Sequence, residues 1–266
     1  MTLMQNDASK RVAGLNIMSR TPVNGAGPRV IMVHGAMDTG ASFSRLADNL
    51  PEFDVTYYDR RGYGASAYLM GSPSRLEEHI EDLLSLIGDE PCYVLGHSLG
   101  GVIALAAAER APDRLLGVMT YEAPLPWERW WPAPPLPKGS TTDPANVRPA
   151  AEAFLRRAMG DAVWNGLSQP KRDKLLGWGP AWATELTDAS QLAFFRPENL
   201  HVPVLATHGT RTDDRHRRGT QEIAQEITGA RLEVVEGGTH LAHRKHPEKL
   251  AALLRTLVSR DGATQA

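Results

Sequence analysis

The chain has 266 residues, of which 42% are hydrophobic and 23% charged, enough to bury a sizeable core in one large α/β domain or two small ones. A formal net charge of −2 leaves no basic footprint, which argues against a nucleic-acid partner and suits a neutral or weakly charged small molecule better. The single cysteine, Cys92, excludes an intramolecular disulfide and a cysteine metal site, and it reads as a small buried hydrophobe.

Residues 1–20 lack an apolar run bracketed by basic residues and a cleavage site, and no segment approaches the length of a membrane span. A cytoplasmic location without a membrane partner is expected. Residues 12–19 read as one or two edge strands, followed by a turn rich in proline and glycine at 22–28. Arg29-Val30-Ile31-Met32-Val33 reads as a fully buried strand that ends in His34-Gly35-Ala36-Met37. A strand ending in His-Gly places backbone amides just beyond a sheet, and the Ala36 amide is a candidate donor to an oxyanion. His34 itself reads as structural.

A short helix over 42–50 is stopped by Pro51, and 53–58 is the next strand. Asp59-Arg60-Arg61-Gly62-Tyr63-Gly64-Ala65-Ser66 reads as a tight turn braced by Asp59 and Arg61. Ser74-Arg75-Leu76-Glu77 is a capping box that opens a helix with Leu76, Ile80, Leu83, Leu84 and Ile87 on one face.

Next comes Tyr93-Val94-Leu95-Gly96-His97-Ser98-Leu99-Gly100-Gly101, an apolar strand that turns sharply into an alanine-rich helix. Gly-x-Ser-x-Gly in that context is the nucleophile-elbow pattern. Gly96 and Gly100 let strand and helix approach, Ser98 stands exposed at the apex, and the Leu99 amide at the helix start faces any negative charge formed beside it. His97 reads as structural. Another buried strand, 115–121, leads directly into Glu122.

From Pro124 the texture changes. Eight of the chain's 19 prolines fall between Pro124 and Pro149, and all six tryptophans lie between Trp127 and Trp182. Helical character at 150–159 and 171–186 does not match the alternation on either side, so 124–200 is expected to be a cap inserted into a core formed by 1–123 and 201–266. Its tryptophans suit both a private cap core and an apolar wall over the site. Trp127, Trp130 and Trp131, with Met37, are the candidate substrate contacts.

The alternation resumes with a strand at 201–209, an arginine-rich loop at 211–218 and a helix from about Thr220; the arginines after Asp214 read as a solvated face, with a hold for an anionic substrate group as the alternative. Arg231-Leu232-Glu233-Val234-Val235 is the last strand, followed by Glu236-Gly237-Gly238-Thr239-His240 and a final amphipathic helix from Pro247. A serine needs an imidazole to take its proton and a carboxylate to orient that imidazole.

On His34-Gly35, the turn at 59–66, Gly96-His97-Ser98-Leu99-Gly100-Gly101 and Gly237-Gly238-Thr239-His240, the sequence resembles the α/β-hydrolase superfamily, in its lid-bearing branch with a Ser-His-acid triad. The resemblance implies a mostly parallel central sheet with helices on both faces and a helical cap inserted after the sixth strand. It implies Ser98 as nucleophile, His240 as base, and the Ala36 and Leu99 amides as oxyanion hole, with no cofactor and no metal. For the acid, the family position falls on Thr212, so a small loop shift would bring in Asp213 or, after it, Asp214. The alternative is Glu122, at a strand end that certain haloalkane dehalogenases use; Glu122 is set ahead of Asp213 and the choice stays open.

The expected activity is hydrolysis of an ester, thioester or lactone-type small apolar substrate through an acyl-enzyme. A carbon-carbon bond hydrolase or cofactor-free perhydrolase would use the same triad, and a small-molecule receptor could retain it without turnover. Substrate identity and oligomeric state stay open.

Overall fold

A computed structural model of the chain describes residues 14–69, 75–132 and 144–264. The strand signal at Val12 and Ala13 and the cap at Ser74 lie outside those residues. In chain order the strands are β1 (Asn16–Arg20), β2 (Arg29–Val33), β3 (Asp54–Asp59), β4 (Cys92–His97), β5 (Leu115–Tyr121), β6 (Val204–Gly209) and β7 (Arg231–Val235). They form one sheet in the order β1-β3-β2-β4-β5-β6-β7, parallel throughout except for β1, which runs antiparallel to β3 at the edge.

The central strands read as unbroken apolar runs because both faces of the sheet are covered. Within β4, Cys92 and Val94 point into one core while Tyr93 and Leu95 point into the other, the two-residue alternation of a strand. Helices α1 (Ser44–Asp48), α2 (Leu76–Ile87) and α3 (Leu99–Arg110) follow the first strands. The first core is closed by α2 and α3, and the second receives Leu46 and Ala47 of α1. The capping box opens one residue later than the sequence suggests, with Glu78 Oε2 accepting from the Arg75 amide at 2.9 Å.

Between β5 and β6 the chain runs through α4 (Pro144–Met159), α5 (Asp161–Gly166), α6 (Gln169–Leu176) and α7 (Gly179–Gln191). Five described strands precede this insertion instead of the expected six, because the N-terminal stretch contributes the single strand β1. The helix expected over 171–186 is broken at Gly177 and Trp178 into α6 and α7. Trp164, Trp178 and Trp182 fill the insertion's own core.

A buried ion pair ties α7 to the sheet. Glu185, fully buried, accepts from Arg60 Nη1 at 2.7 Å and from the Tyr63 hydroxyl at 2.8 Å. Arg60 also donates to the carbonyls of His34 at 3.0 Å and Gly35 at 3.1 Å, so one guanidinium holds the turn after β2 to the insertion. His79 Nε2 stands 2.7 Å from the same carboxylate without the alignment of a hydrogen bond. Burial alone would raise the Glu185 pKa; Arg60 and His79 outweigh it and bring it down to about 2.

After β6 come α8 (Asp214–Glu226), then β7, α9 (Ala242–Lys245) and α10 (Pro247–Thr264). Helix α8 joins the first core through Ile223, and α10 joins the second through Leu250, Leu254 and Leu257. Among the described residues no helix is long and apolar enough to cross a membrane.

Candidate active site

Parallel strands leave their carboxyl ends on one edge, where ligands of α/β sheets bind. Among the described residues, three non-glycine residues have positive φ, and each follows one of these ends: Met37 (φ 55°) after β2, Ser98 (φ 52°) after β4 and Glu122 (φ 53°) after β5. Such a conformation costs on the order of 1–3 kcal/mol and persists only where the surroundings fix it.

Ser98 is fixed by close packing. A Cβ on Gly100 would stand 2.1 Å from the Val33 carbonyl oxygen, and one on Gly96 would stand 2.4 Å from the Gly100 oxygen, so only glycine lets β4 turn into α3 against β2. The Ser98 amide donates to the Tyr121 carbonyl at 2.8 Å. Leu99 is then the first residue of α3, where amides have no intrahelical partner.

Glu122 is fixed by β6. Its amide donates to the Thr207 carbonyl at 2.9 Å, and its Oε1 accepts from the Gly209 amide at 3.0 Å. The other oxygen, Oε2, accepts from His240 Nδ1 at 2.6 Å. The carboxylate is fully buried, which pushes its pKa up; the His240 hydrogen bond and charge, with the Gly209 amide, more than reverse this and leave it below the ordinary value.

His240 sits in a braced loop: the Tyr121 hydroxyl donates to the Thr239 carbonyl at 2.7 Å, and His97 Nε2 donates to the His240 carbonyl at 2.8 Å. With Nδ1 committed to Glu122, the neutral ring presents Nε2 as an acceptor. A cavity of about 210 Å³ is lined by Ser98, Ala36, Leu99 and His240, with Pro124, Pro126, Trp131, Phe154 and Leu186 as its apolar wall. No hydrogen bond joins Ser98 to His240 among the described residues; such bonds commonly tighten only with substrate in place.

The alpha/beta hydrolase family profile matches residues 30–253, most of the chain. The chain belongs to the alpha/beta hydrolase family. Lipase LipV of Mycobacterium tuberculosis is 34% identical over 101 residues, a match covering 36% of this chain and only 38% of that lipase. The pimeloyl-[acyl-carrier protein] methyl ester esterase of Neisseria meningitidis serogroup C is 27% identical over 248 residues, 86% of this chain and 93% of the esterase. The enol-lactonase of Burkholderia xenovorans superimposes with a TM-score of 0.71 at 21% identity, over 92% of this chain and 96% of that one, which speaks for the fold alone.

Within this family member, the candidate residues divide. Ser98, His240, Ala36, Leu99 and Trp131 meet at the cavity, and Glu122 lies behind His240. Asp213 lines the cavity as well, yet no hydrogen bond or ion pair joins its carboxylate to His240 among the described residues: it caps α8, accepting from the His216 amide at 3.1 Å and from His216 Nδ1 at 2.6 Å. Three expected substrate contacts are absent from the cavity wall. Trp127 packs edge-on against Phe195 at 5.4 Å. Trp130 donates to Glu222 at 3.1 Å and carries the Arg218 guanidinium over its ring at 4.1 Å. Met37 is buried in the insertion's core.

His216 is the residue that the sequence reading missed. It lines the cavity, its ring 4.5 Å from that of His240 and 5.3 Å from that of Trp131. The signal was Asp213 three residues before a histidine at a helix start, hidden in an arginine-rich stretch that looked like loop.

Among the described residues, two clusters hold metal-ligand side chains with their ligand atoms within 4.8 Å: Glu122, His216 and His240, and Asp38, His97 and His243. In the first, both imidazoles already use Nδ1 on carboxylates. In the second, Asp38 is bonded to Arg244. His243 Nε2 stands 3.5 Å from the same carboxylate, and His97 Nδ1 has no hydrogen-bond partner among the described residues.

Proposed function

We propose that this chain is a serine hydrolase that cleaves small esters or related acyl compounds through a covalent acyl-enzyme, with Ser98 as nucleophile, His240 as base and Glu122 as acid. The observation that carries the reading is the 2.6 Å bond from His240 Nδ1 to a buried Glu122, with Ser98 and His240 sharing one cavity. In the first half-reaction Ser98 Oγ attacks the carbonyl carbon while His240 Nε2 takes its proton. The Ala36 and Leu99 amides hold the oxygen that becomes negative. Collapse of the tetrahedral species expels the leaving group, which receives the proton from His240.

In the second half, water attacks the acyl carbon as His240 takes its proton, and the same proton returns to Ser98 when the acid departs. Glu122 keeps the imidazole in the productive tautomer and balances the imidazolium charge. The insertion acts as a cap: Trp131, Phe154 and Leu186 shield the reacting carbonyl from bulk water. At about 210 Å³ the cavity is below the usual range for drug-sized ligands, which favours a small acyl group.

The test is turnover of p-nitrophenyl acetate, butyrate and laurate by the wild type and by Ser98→Ala. Wild type is expected to favour the short esters, and Ser98→Ala to lose on the order of a thousandfold or more in kcat. Wild type inert towards all three esters contradicts the proposal.

A further inference from the structure

The cavity that holds Ser98 is joined by a second recess of about 300 Å³, which shares Arg157, Asp213, His216 and His240 with it and adds Arg211 and Lys245. This recess does not reach Ser98, Ala36 or Leu99, all of which line the first cavity. In the proposed reaction the acyl half of a substrate lies with Ser98 and the two amides, and the leaving group lies with the histidine that protonates it. The second recess is therefore on the leaving-group side.

Its walls carry unbalanced charge. Arg157 comes from α4, Arg211 from the loop after β6 and Lys245 from α9. The carboxylate on the same wall, Asp213, is already engaged, with Oδ1 on His216 and Oδ2 3.1 Å from Arg215. Among the described residues none of the three cations has a carboxylate partner, whereas arginines close to them in the chain do. Arg156 meets Asp161 at 2.7 Å, Arg217 meets Asp214 at 2.8 Å, and Arg244 meets Asp38. Cations from three separate elements thus converge on one recess beside His240, where the lining carboxylate, Asp213, is committed to His216 and Arg215.

The geometry points to a subsite for an anionic group: the substrate carries a carboxylate on its alcohol or thiol arm, recognised by Arg157, Arg211 and Lys245, while its acyl arm is small and apolar. The assignment to the leaving-group arm rests on the serine-hydrolase reading. It separates the arginine-rich loop into two parts, Arg217 and Arg218 serving α8 through Asp214 and Glu222, and Arg211 serving the ligand. Exposed ion pairs are individually weak, but several cations converging on one anion add, and their attraction fades with salt.

The probes are the butyrate ester of para-hydroxyphenylpropionic acid and the butyrate ester of its carboxamide, nearly equal in shape and leaving-group acidity and differing in charge. Calorimetry on Ser98→Ala reads binding without turnover, and the wild type reads kcat/KM. The anionic ester is expected to bind about tenfold tighter at low ionic strength, and to lose most of that advantage near 0.5 M salt. The same loss is expected when Arg157→Gln, Arg211→Gln and Lys245→Gln are added, carried by KM in the wild-type background. Equal affinity for the two esters, or a preference that survives the triple substitution, overturns the subsite. Tighter binding of the anionic ester with no wild-type turnover keeps the subsite and removes the hydrolase reading.

Discussion

Glu122 and Asp213 show how two carboxylates near one imidazole acquire different duties. Each holds a histidine through Nδ1 at 2.6 Å, but only Glu122 holds His240. Glu122→Gln is therefore expected to lower kcat about a hundredfold or more, because an amide nitrogen facing Nδ1 favours the wrong tautomer. Asp213→Asn is expected to lower it less than about tenfold. Steady-state ester hydrolysis by the two variants checks this, and the reverse order of losses would make Asp213 the acid. The sequence left the pair open because loop length after a strand does not say where a side chain points. What settles the geometry is local: Asp213 is drawn to the first amides of α8 as a cap, while strain at Glu122 aims its carboxylate back over β6.

At the scale of elements, the strands, the elbow and the histidine loop were legible because each writes a strong local signal: apolar runs, paired glycines, turns. Helix α8 was not. It begins at Asp214 instead of near Thr220, and its buried face is made of His216, Gly219, Thr220 and Ile223, of which only Ile223 is a large apolar residue, so no apolar stripe marks it. The anchoring of α7 was equally hidden, since Arg60 lies in a turn that looked like scaffold and Glu185 in a helix of ordinary composition. Both side chains have no solvent exposure. Removing the negative partner leaves a buried guanidinium unpaired, so Glu185→Gln is expected to destabilise the protein by about 3–5 kcal/mol. The urea-unfolding midpoint reads this; an unchanged midpoint would mean that the pair does not hold the insertion to the sheet.

Across the whole molecule, buried titratable groups set the pH range of stability. His34 is locked neutral, with Nδ1 donating to the Gly35 carbonyl at 2.7 Å and Nε2 accepting from the Arg60 amide at 2.9 Å. Burial first, then Arg60, lowers its pKa from the ordinary 6.5 to about 3. Its contribution is complete above pH 6.5 and is lost as pH falls towards 3, because over that window the unfolded chain binds the proton and the folded one does not. The pKa values of His97, His216 and His243 are lowered too, chiefly by burial, and act in the same sense. Glu185 adds stability that is complete above its ordinary 4.5 and lost as pH falls through about 2. Unfolding free energy is thus expected to decline below about pH 6.5, with His34 alone contributing about 1.4 kcal/mol per pH unit as pH falls towards 3. A flat profile from pH 7 to about 4 in denaturant titrations would contradict this assignment of neutral buried imidazoles.

Formation of a covalent intermediate on Ser98 with help from His240, as proposed, is read most directly by intact-mass and peptide mapping after brief exposure to a fluorophosphonate. One adduct per chain is expected, located on Ser98, formed by the wild type and strongly slowed in His240→Ala. No adduct, or an adduct on another residue that persists in Ser98→Ala, would contradict it.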